Sequence, residues 1–337
     1  MGSHHLILAS RRRFLRRTAA ALLVVTLAGA CGTAIPSHPP SASPSLAAPN
    51  ATPSAPLPSI APTIAPSPTA SGAPESISVV AATSCDQTVV PGAVYPPADP
   101  APPPKATPLM LHVPILEYHR VVPVAQAGDS LPGLTMPPEI FDAQMAALHK
   151  AGWNTITLAA LADDLAAGTR PPARTFVVTV DDGWWDSYDY VYSTLQKYGY
   201  VATFFVIAGR IGRPNFMGPS QIRALLAAGN EIGDHTVTHA VLTAAVPKTL
   251  TWEIDAGAAT IAAATGRWPE TLAYPHGKAN SRVMAAVAAC KSLRMAVMEG
   301  GGGRETWSDR FRVARIQVGS ERSAADLLAQ VQREGRP

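Results

Sequence analysis

From about Leu109 onward, short blocks of apolar residues alternate with stretches whose apolar positions recur every three or four residues. The blocks "RTFVVTVDD", "VATFFVIAG" and "MAVMEG" have the length and continuity of strands buried on both faces. "LHVPILEYH", "NEIGDH", "TLAYPHG" and "RFRVARIQV" also read as strands. Between them, "PEIFDAQMAALHKAG", "SYDYVYSTLQKYG", "PSQIRALLAAG", "KTLTWEIDAGAATIAAATG", "NSRVMAAVAAC" and "SAADLLAQVQRE" carry the helical period, several ending on glycine. "TITLAALADDLAAG" starts extended and turns helical. Such β–α alternation over about 225 residues predicts parallel strands with helices outside. About seven repeats favour a distorted (β/α) barrel over an open three-layer sheet, and no internal repeat suggests a solenoid.

The pattern fails before Leu109. From Gly32 to about Ser76 the chain is Pro, Ala, Ser and Thr with almost no charge, and 20 of its 33 prolines fall between Gly32 and Pro108. Such a segment cannot bury enough apolar surface to offset its ordering entropy, and its prolines favour an extended, semi-rigid, disordered stalk. Within it, "SISVVAATSC" suggests a short strand before "PPADPAPPPKATP" returns to linker. Upstream, "SRRRFLRRTAAALLVVTLAGAC" sets basic residues before a short apolar run and small residues before a cysteine, the layout of an export signal. The apolar run Ala19–Ala30 is too short to span a bilayer comfortably. Ser10 to Leu15 looks like a twin-arginine address. "LAGAC" resembles a lipoprotein cleavage box that would make Cys31 the lipid-anchored residue, although Ala28 stands where leucine is usual. A plain signal peptide and a secreted product are the alternative. The expected organisation is an export signal over 1–31, a linker over 32–108 and one domain over 109–337.

Charge changes the picture little. The formal net charge of +3 rests on five arginines within the first thirty residues, and the remainder holds 22 basic against 24 acidic residues. A nucleic-acid partner therefore has no support, and no protein partner is inferred. With Cys31 in the signal, Cys85 and Cys290 remain. Export permits a disulfide between them and their spacing does not require one. Cys290 lies in an Ala-rich helical pattern and reads as a small buried hydrophobe.

Candidate chemistry gathers where strands end. Asp181 and Asp182 close one strand, His235 closes another with His239 four residues on, His276 follows "LAYP", and His119 closes the first. In barrels of this class, active groups sit at the C-terminal ends of the strands. If the turn after His235 is helical, His235 and His239 share a face. With one carboxylate they make a three-ligand set that leaves positions open for water and substrate. One aspartate can bind the ion while the other takes a proton from water that the ion acidifies. A helix cap would need only one aspartate. "GGGG" at 300–303 lacks the Lys-Ser/Thr of a phosphate loop and reads as a flexible connection.

"VTVDDG", "HTVTH" and "AYPHG", in this order, resemble the motifs of polysaccharide deacetylases, the NodB-homology group (carbohydrate esterase family four), over about residues 110–320. "VPILEYHRV" and "ATFFVIAGRIG" resemble the branch that includes bacterial poly-N-acetylglucosamine deacetylases. The resemblance implies Asp181 as general base and Asp182, His235 and His239 as ligands of a divalent ion, zinc by default. It implies the backbone N–H of His276 as an oxyanion donor. Two departures matter. Ala273 stands where many members have an arginine that partners the catalytic aspartate, and Arg315 can supply it from another strand end or be a surface residue. No histidine follows His276, so the general acid is expected from the first strand, at His119. Tyr274 and Trp185 are taken as substrate-binding, with one of Trp184 and Trp185 in the core. The expected activity is metal-dependent removal of acetyl groups from N-acetylated sugars of a cell-surface or extracellular polysaccharide. An O-acetyl esterase on a glycan such as xylan, or a non-catalytic carbohydrate-binding protein, are the alternatives.

Overall fold

The computed structural model describes residues 76–98, 109–128, 132–302 and 304–336. The export signal, Cys31 and the first part of the expected stalk lie outside these residues. In chain order the elements are β1 (Ile115–Tyr118), β2 (Arg120–Val121), β3 (Thr135–Met136), α1 (Pro138–Lys150), β4 (Asn154–Ile156), α2 (Leu158–Ala167) and β5 (Thr175–Val180). A wide helical turn, Ser187–Tyr192, leads into α3 (Ser193–Lys197). Then come β6 (Thr203–Val206), α4 (Pro219–Ala227), β7 (Glu231–Asp234), α5 (Pro247–Thr265), β8 (Thr271–Ala273), α6 (Ser281–Ala289), β9 (Met295–Glu299), β10 (Val313–Gln317) and α7 (Ala324–Glu334).

All pairings between the strands of the main sheet are parallel, in the order β1-β10-β9-β8-β7-β6-β5. β5 pairs back onto β1, from Ile115 opposite Val177 to Tyr118 opposite Val180, and closes a seven-stranded barrel. β4 lies beside the first half of β5, ahead of the point where β6 takes over that edge. β2 and β3 form a separate two-residue ladder.

Strand alternation builds two cores. On β5, which is buried throughout, Phe176, Val178 and Val180 join Phe141, Met145 and Leu148 of α1 outside the barrel. Val177 points the other way, to Ile115, Phe205, Ala273, Val297 and Val313 inside it. α2 departs from the expectation that every helix lies outside. Its first amides donate to Thr203 Oγ1 (2.9 Å) and Glu231 Oε2 (2.8 Å), at the starts of β6 and β7. Leu158, Leu161 and Leu165 close the N-terminal end of the barrel from below.

The linker expected over 32–108 is interrupted. Residues 76–98 pack on the domain, with Val79, Val80, Ala82 and Cys85 against Ile254, Ala258 and Ala259 of α5. Val80 N–H donates to Thr260 Oγ1 (2.8 Å), Tyr95 meets Trp268 edge to face at 5.4 Å, and Val94 bridges to Arg267. "SISVVAATSC" is therefore not a strand: its apolar side chains fit the small-residue face of α5 without a sheet partner. Cys85 and Cys290 are joined by a disulfide, with Cα atoms 5.0 Å apart and a sequence separation of 205. Cys290 is buried as expected, but as one end of this covalent tie rather than as a free hydrophobe.

Candidate active site

Asp181 ends β5 with its amide donating to Tyr118 O (2.9 Å), and it is 2% exposed. Arg315, on β10, reaches across the barrel mouth. Its Nη1 and Nη2 donate to the two Asp181 oxygens at 2.7 and 2.8 Å, and Nη1 also donates to Thr179 Oγ1 (3.1 Å). Its Nε lies 3.2 Å from Glu117 Oε2, an ion pair without hydrogen-bond alignment. Arg315 is itself 2% exposed, so the surface alternative is excluded, and it occupies the role left open at Ala273. Burial would raise the Asp181 pKa, but the Arg315 charge and hydrogen bonds override it and hold this carboxyl well below the usual range. For Glu117, burial wins over Arg315 and the pKa is raised.

Asp182 faces the other way. Its Oδ1 lies 3.6 Å from His235 Nε2 and 3.8 Å from His239 Nε2. His235 Nδ1 lies 2.8 Å from Ala273 O, an acceptor only, so Nδ1 carries a proton and Nε2 is the ring atom that faces Asp182. Burial, then the neighbouring His235, lowers the His239 pKa to about 4, so this imidazole is neutral near pH 7. Two ring nitrogens and a carboxylate oxygen within 4.8 Å of one another fit a divalent cation of borderline softness. Glu117, His119 and Asp181 form a second cluster of comparable size, but the Arg315 guanidinium already serves as its cation.

The turn joining His235 to His239 is not helical. Thr236 (φ 66°) and His239 (φ 64°) are left-handed, and the ring centroids are 4.7 Å apart. Asp234 Oδ1 accepts from Thr236 N–H (2.8 Å), while Glu253 of α5 accepts from the amides of Val237 (3.0 Å) and Thr238 (2.9 Å) and from the Thr238 hydroxyl. Among the described residues six non-glycine residues take left-handed φ, and five, Asp182, Asn215, Thr236, His239 and His276, lie in these loops. Backbone strain of this kind concentrates where geometry is over-determined by its surroundings. Gly183 (φ 76°) follows Asp182, and a Cβ there would sit 3.0 Å from Val206, so backbone strain and crowding both favour glycine.

A cleft of about 580 Å³ opens above these groups, lined by His119, Asp182, Trp184, Trp185, Asn215 and the turn at Gln126–Gly128. His119 Nε2 lies 4.0 Å from Asp181 Oδ2 and 3.9 Å from Glu117 Oε1. His276 is exposed at φ 58°, its ring 4.5 Å from that of His239. Two expectations are corrected. Tyr274 is fully buried and its hydroxyl donates to Phe311 O (2.8 Å), so strand alternation turns it into the core and away from substrate. Neither Trp184 nor Trp185 is core: both line the cleft.

Sequence reading missed Glu117, Glu253, and the Arg120–Asp186 pair beneath the cleft, in which Arg120 Nε donates to Asp186 at 2.8 Å. A glutamate inside the apolar run "PILEY", two residues before His119 and on the same strand face, was the available signal for the first. Glu253 carries no local signal, since its partners lie 15 and 16 residues away.

Residues 168–294 match the polysaccharide deacetylase family. The chain is 26% identical over 220 residues to YxkH of Bacillus subtilis (strain 168), named as a polysaccharide deacetylase, an alignment covering 65% of this chain and 76% of the other. The fold is shared with Streptococcus pyogenes deacetylase PplD, solved with acetate (24% identity, 67% of this chain, 99% of that chain, TM-score 0.60). It is shared also with IcaB from Ammonifex degensii (22% identity, 65% and 97% covered, TM-score 0.56). With the barrel, the ordered motifs and the family match in agreement, the chain carries a domain of the polysaccharide deacetylase family.

Proposed function

We propose that the chain is an exported, metal-dependent N-deacetylase of a cell-surface or extracellular polysaccharide. Signal and stalk would hold the domain away from a membrane, through a lipid on Cys31 or as a secreted form. The observation that carries the catalytic reading is the convergence of Asp182 Oδ1, His235 Nε2 and His239 Nε2 beside Asp181. A divalent ion held by those three residues, zinc by default, would polarise the acetyl carbonyl and acidify water.

The chain's own groups do the rest. Asp181 stays ionised at every working pH. Arg315 uses one lone pair on each of its oxygens, and the remaining lone pairs can take the proton of the attacking water. Arg315 lowers the basicity of Asp181, so the water that Asp181 deprotonates would have to be acidified by the ion. The water oxygen bonds to the carbonyl carbon, and the N–H of His276, in the left-handed turn beside His239, would be the donor for the oxygen that gains charge. The C–N bond then breaks, His119 Nε2 gives its proton to the departing amine, and acetate and an amino sugar leave. An amine leaves poorly without that proton, so the placement of His119 at the cleft favours amide over ester substrates.

Acetate release from N-acetylglucosamine oligomers and from O-acetylated xylan tests this. The wild type is expected to act on the amide, and His119→Ala to lose about 10²–10⁴-fold. Activity confined to the ester, with His119→Ala unaffected, would contradict the assignment.

A further inference from the structure

Two tryptophans follow the aspartate pair, and the structure gives them different work. The Trp184 indole Nε1 donates to Asp182 Oδ2 at 3.0 Å, while Asp182 Oδ1 is the oxygen that faces His235 and His239. The indole is itself held. Phe216 stacks on it at 4.5 Å with ring planes 24° apart, and the Arg120 guanidinium lies 4.6 Å over it. Arg120 is fixed in turn by Asp186, and Arg210 lies 5.0 Å over Phe216. The two loops are joined by the Trp184–Phe216 bridge, by Trp185 N–H to Asn215 O (3.1 Å) and by Met217 N–H to Gly183 O (3.0 Å).

We propose that Trp184 is a positioning residue: its indole N–H holds Asp182 so that the carboxylate presents one oxygen to the two histidines. The proposal rests on reading Asp182, His235 and His239 as the ion-binding set. The physical need is plain. The Asp182 side chain is 17% exposed and sits on strained backbone, φ 74°. Without a donor on Oδ2 the carboxylate can rotate toward water, and binding an ion must then overcome the lost orientation. Partners of this kind behind a ligand typically govern ion affinity by 10- to 100-fold. With a phenyl ring and a guanidinium already packed on Trp184, Trp185 is the ring that remains for a sugar. It meets Tyr190 edge to face at 6.0 Å and lines the cleft.

The test is zinc titration calorimetry on the purified chain as wild type, Asp182→Ala, Trp184→Phe and Phe216→Leu, with thermal unfolding of each metal-free protein. Phenylalanine keeps an aromatic ring for Phe216 and Arg120 to pack on and removes the N–H together with part of the indole area, and the thermal unfolding reports the latter. Wild-type binding that is abolished in Asp182→Ala upholds the ligand set; equal binding in both sinks that set, and the proposal with it. Given the ligand set, Trp184→Phe is expected to bind zinc 10- to 100-fold more weakly with an unchanged metal-free melting temperature, and Phe216→Leu to lose less. Affinity within about twofold of wild type in Trp184→Phe, or a larger loss in Phe216→Leu, overturns the proposal. If Trp184→Phe does not fold, indole ¹H–¹⁵N spectra of the other proteins decide. One downfield indole resonance present in the metal-free wild type and lost in Asp182→Ala supports the bond, and its absence in the wild type refutes it.

Discussion

At the N-terminal end of the barrel, Arg294 donates to Asp163 (2.6 Å) and Glu270 (3.0 Å), and Arg267 reaches Glu270 at 2.7 Å. Glu231 accepts from Thr203, Thr271 and the Ala159 amide. At the C-terminal end, Arg315, Asp181 and Glu117 form a comparable buried network, but it adjoins three candidate ligand atoms, Asp182 Oδ1, His235 Nε2 and His239 Nε2, that lie within 4.8 Å of one another. Buried charge therefore does not distinguish the two ends. At the lower end every carboxylate of the network has its cation or hydrogen-bond donors, which serves folding. At the upper end the atoms that converge beside the network are the candidate chemistry.

The contrast can be broken at its strongest point. Arg315→Met should leave Asp181 and Glu117 as neighbouring buried carboxylates without their cation. A loss of about 3–5 kcal/mol in unfolding free energy is expected, along with loss of acetate release. A variant that kept full stability would show that the guanidinium does not offset the burial of the two carboxylates. Arg294→Met at the opposite end should cost less, about 1–3 kcal/mol, because Glu270 keeps Arg267. It should leave zinc affinity and KM where they were, and a tenfold change in either would mean the two ends are coupled.

Asp255 supplies the smallest effect and a third kind of carboxylate. It lies at neither network, with Oδ1 3.2 Å from Cys85 Sγ, and burial pushes its pKa up to about 6. A folded pKa above the unfolded value near 3.9 means that ionisation is penalised in the native state. The penalty grows between pH 4 and pH 6 and is constant above. Asp255→Asn should therefore stabilise by on the order of 1 kcal/mol at pH 8 and change nothing at pH 4. Chemical unfolding at the two pH values checks this, and equal shifts at both would assign the effect to packing.

The barrel was legible because apolar runs of strand length recur with helical spacers between them, and pairing follows from parallel alternation. The cluster of Asp182, His235 and His239 was legible because Asp and His end those runs, where apolar pattern gives way to polar side chains at one barrel end. What was illegible depends on contacts distant in sequence. Glu253 shapes the histidine loop from another helix, and residues 76–98 find their partner surface on α5 while their composition resembles the stalk. Tyr274 continues the alternation of β8 into the core beside Leu272, whereas the left-handed turn at His276 breaks that alternation and leaves its side chain exposed, a break the local sequence does not announce. Arg315 stood as one of two alternatives until β10 placed it on Asp181.

The central claim is that Asp181 moves the proton while Asp182, His235 and His239 hold the ion. Zinc binding and acetate release from N-acetylglucosamine oligomers, measured side by side for the wild type and Asp181→Asn, test it most directly. The account expects Asp181→Asn to bind zinc within a few-fold of wild type and to lose about 10²–10⁴-fold in acetate release, with chelator abolishing the wild-type rate. An Asp181→Asn protein that binds zinc and keeps wild-type turnover, or a wild type indifferent to chelator, would contradict it.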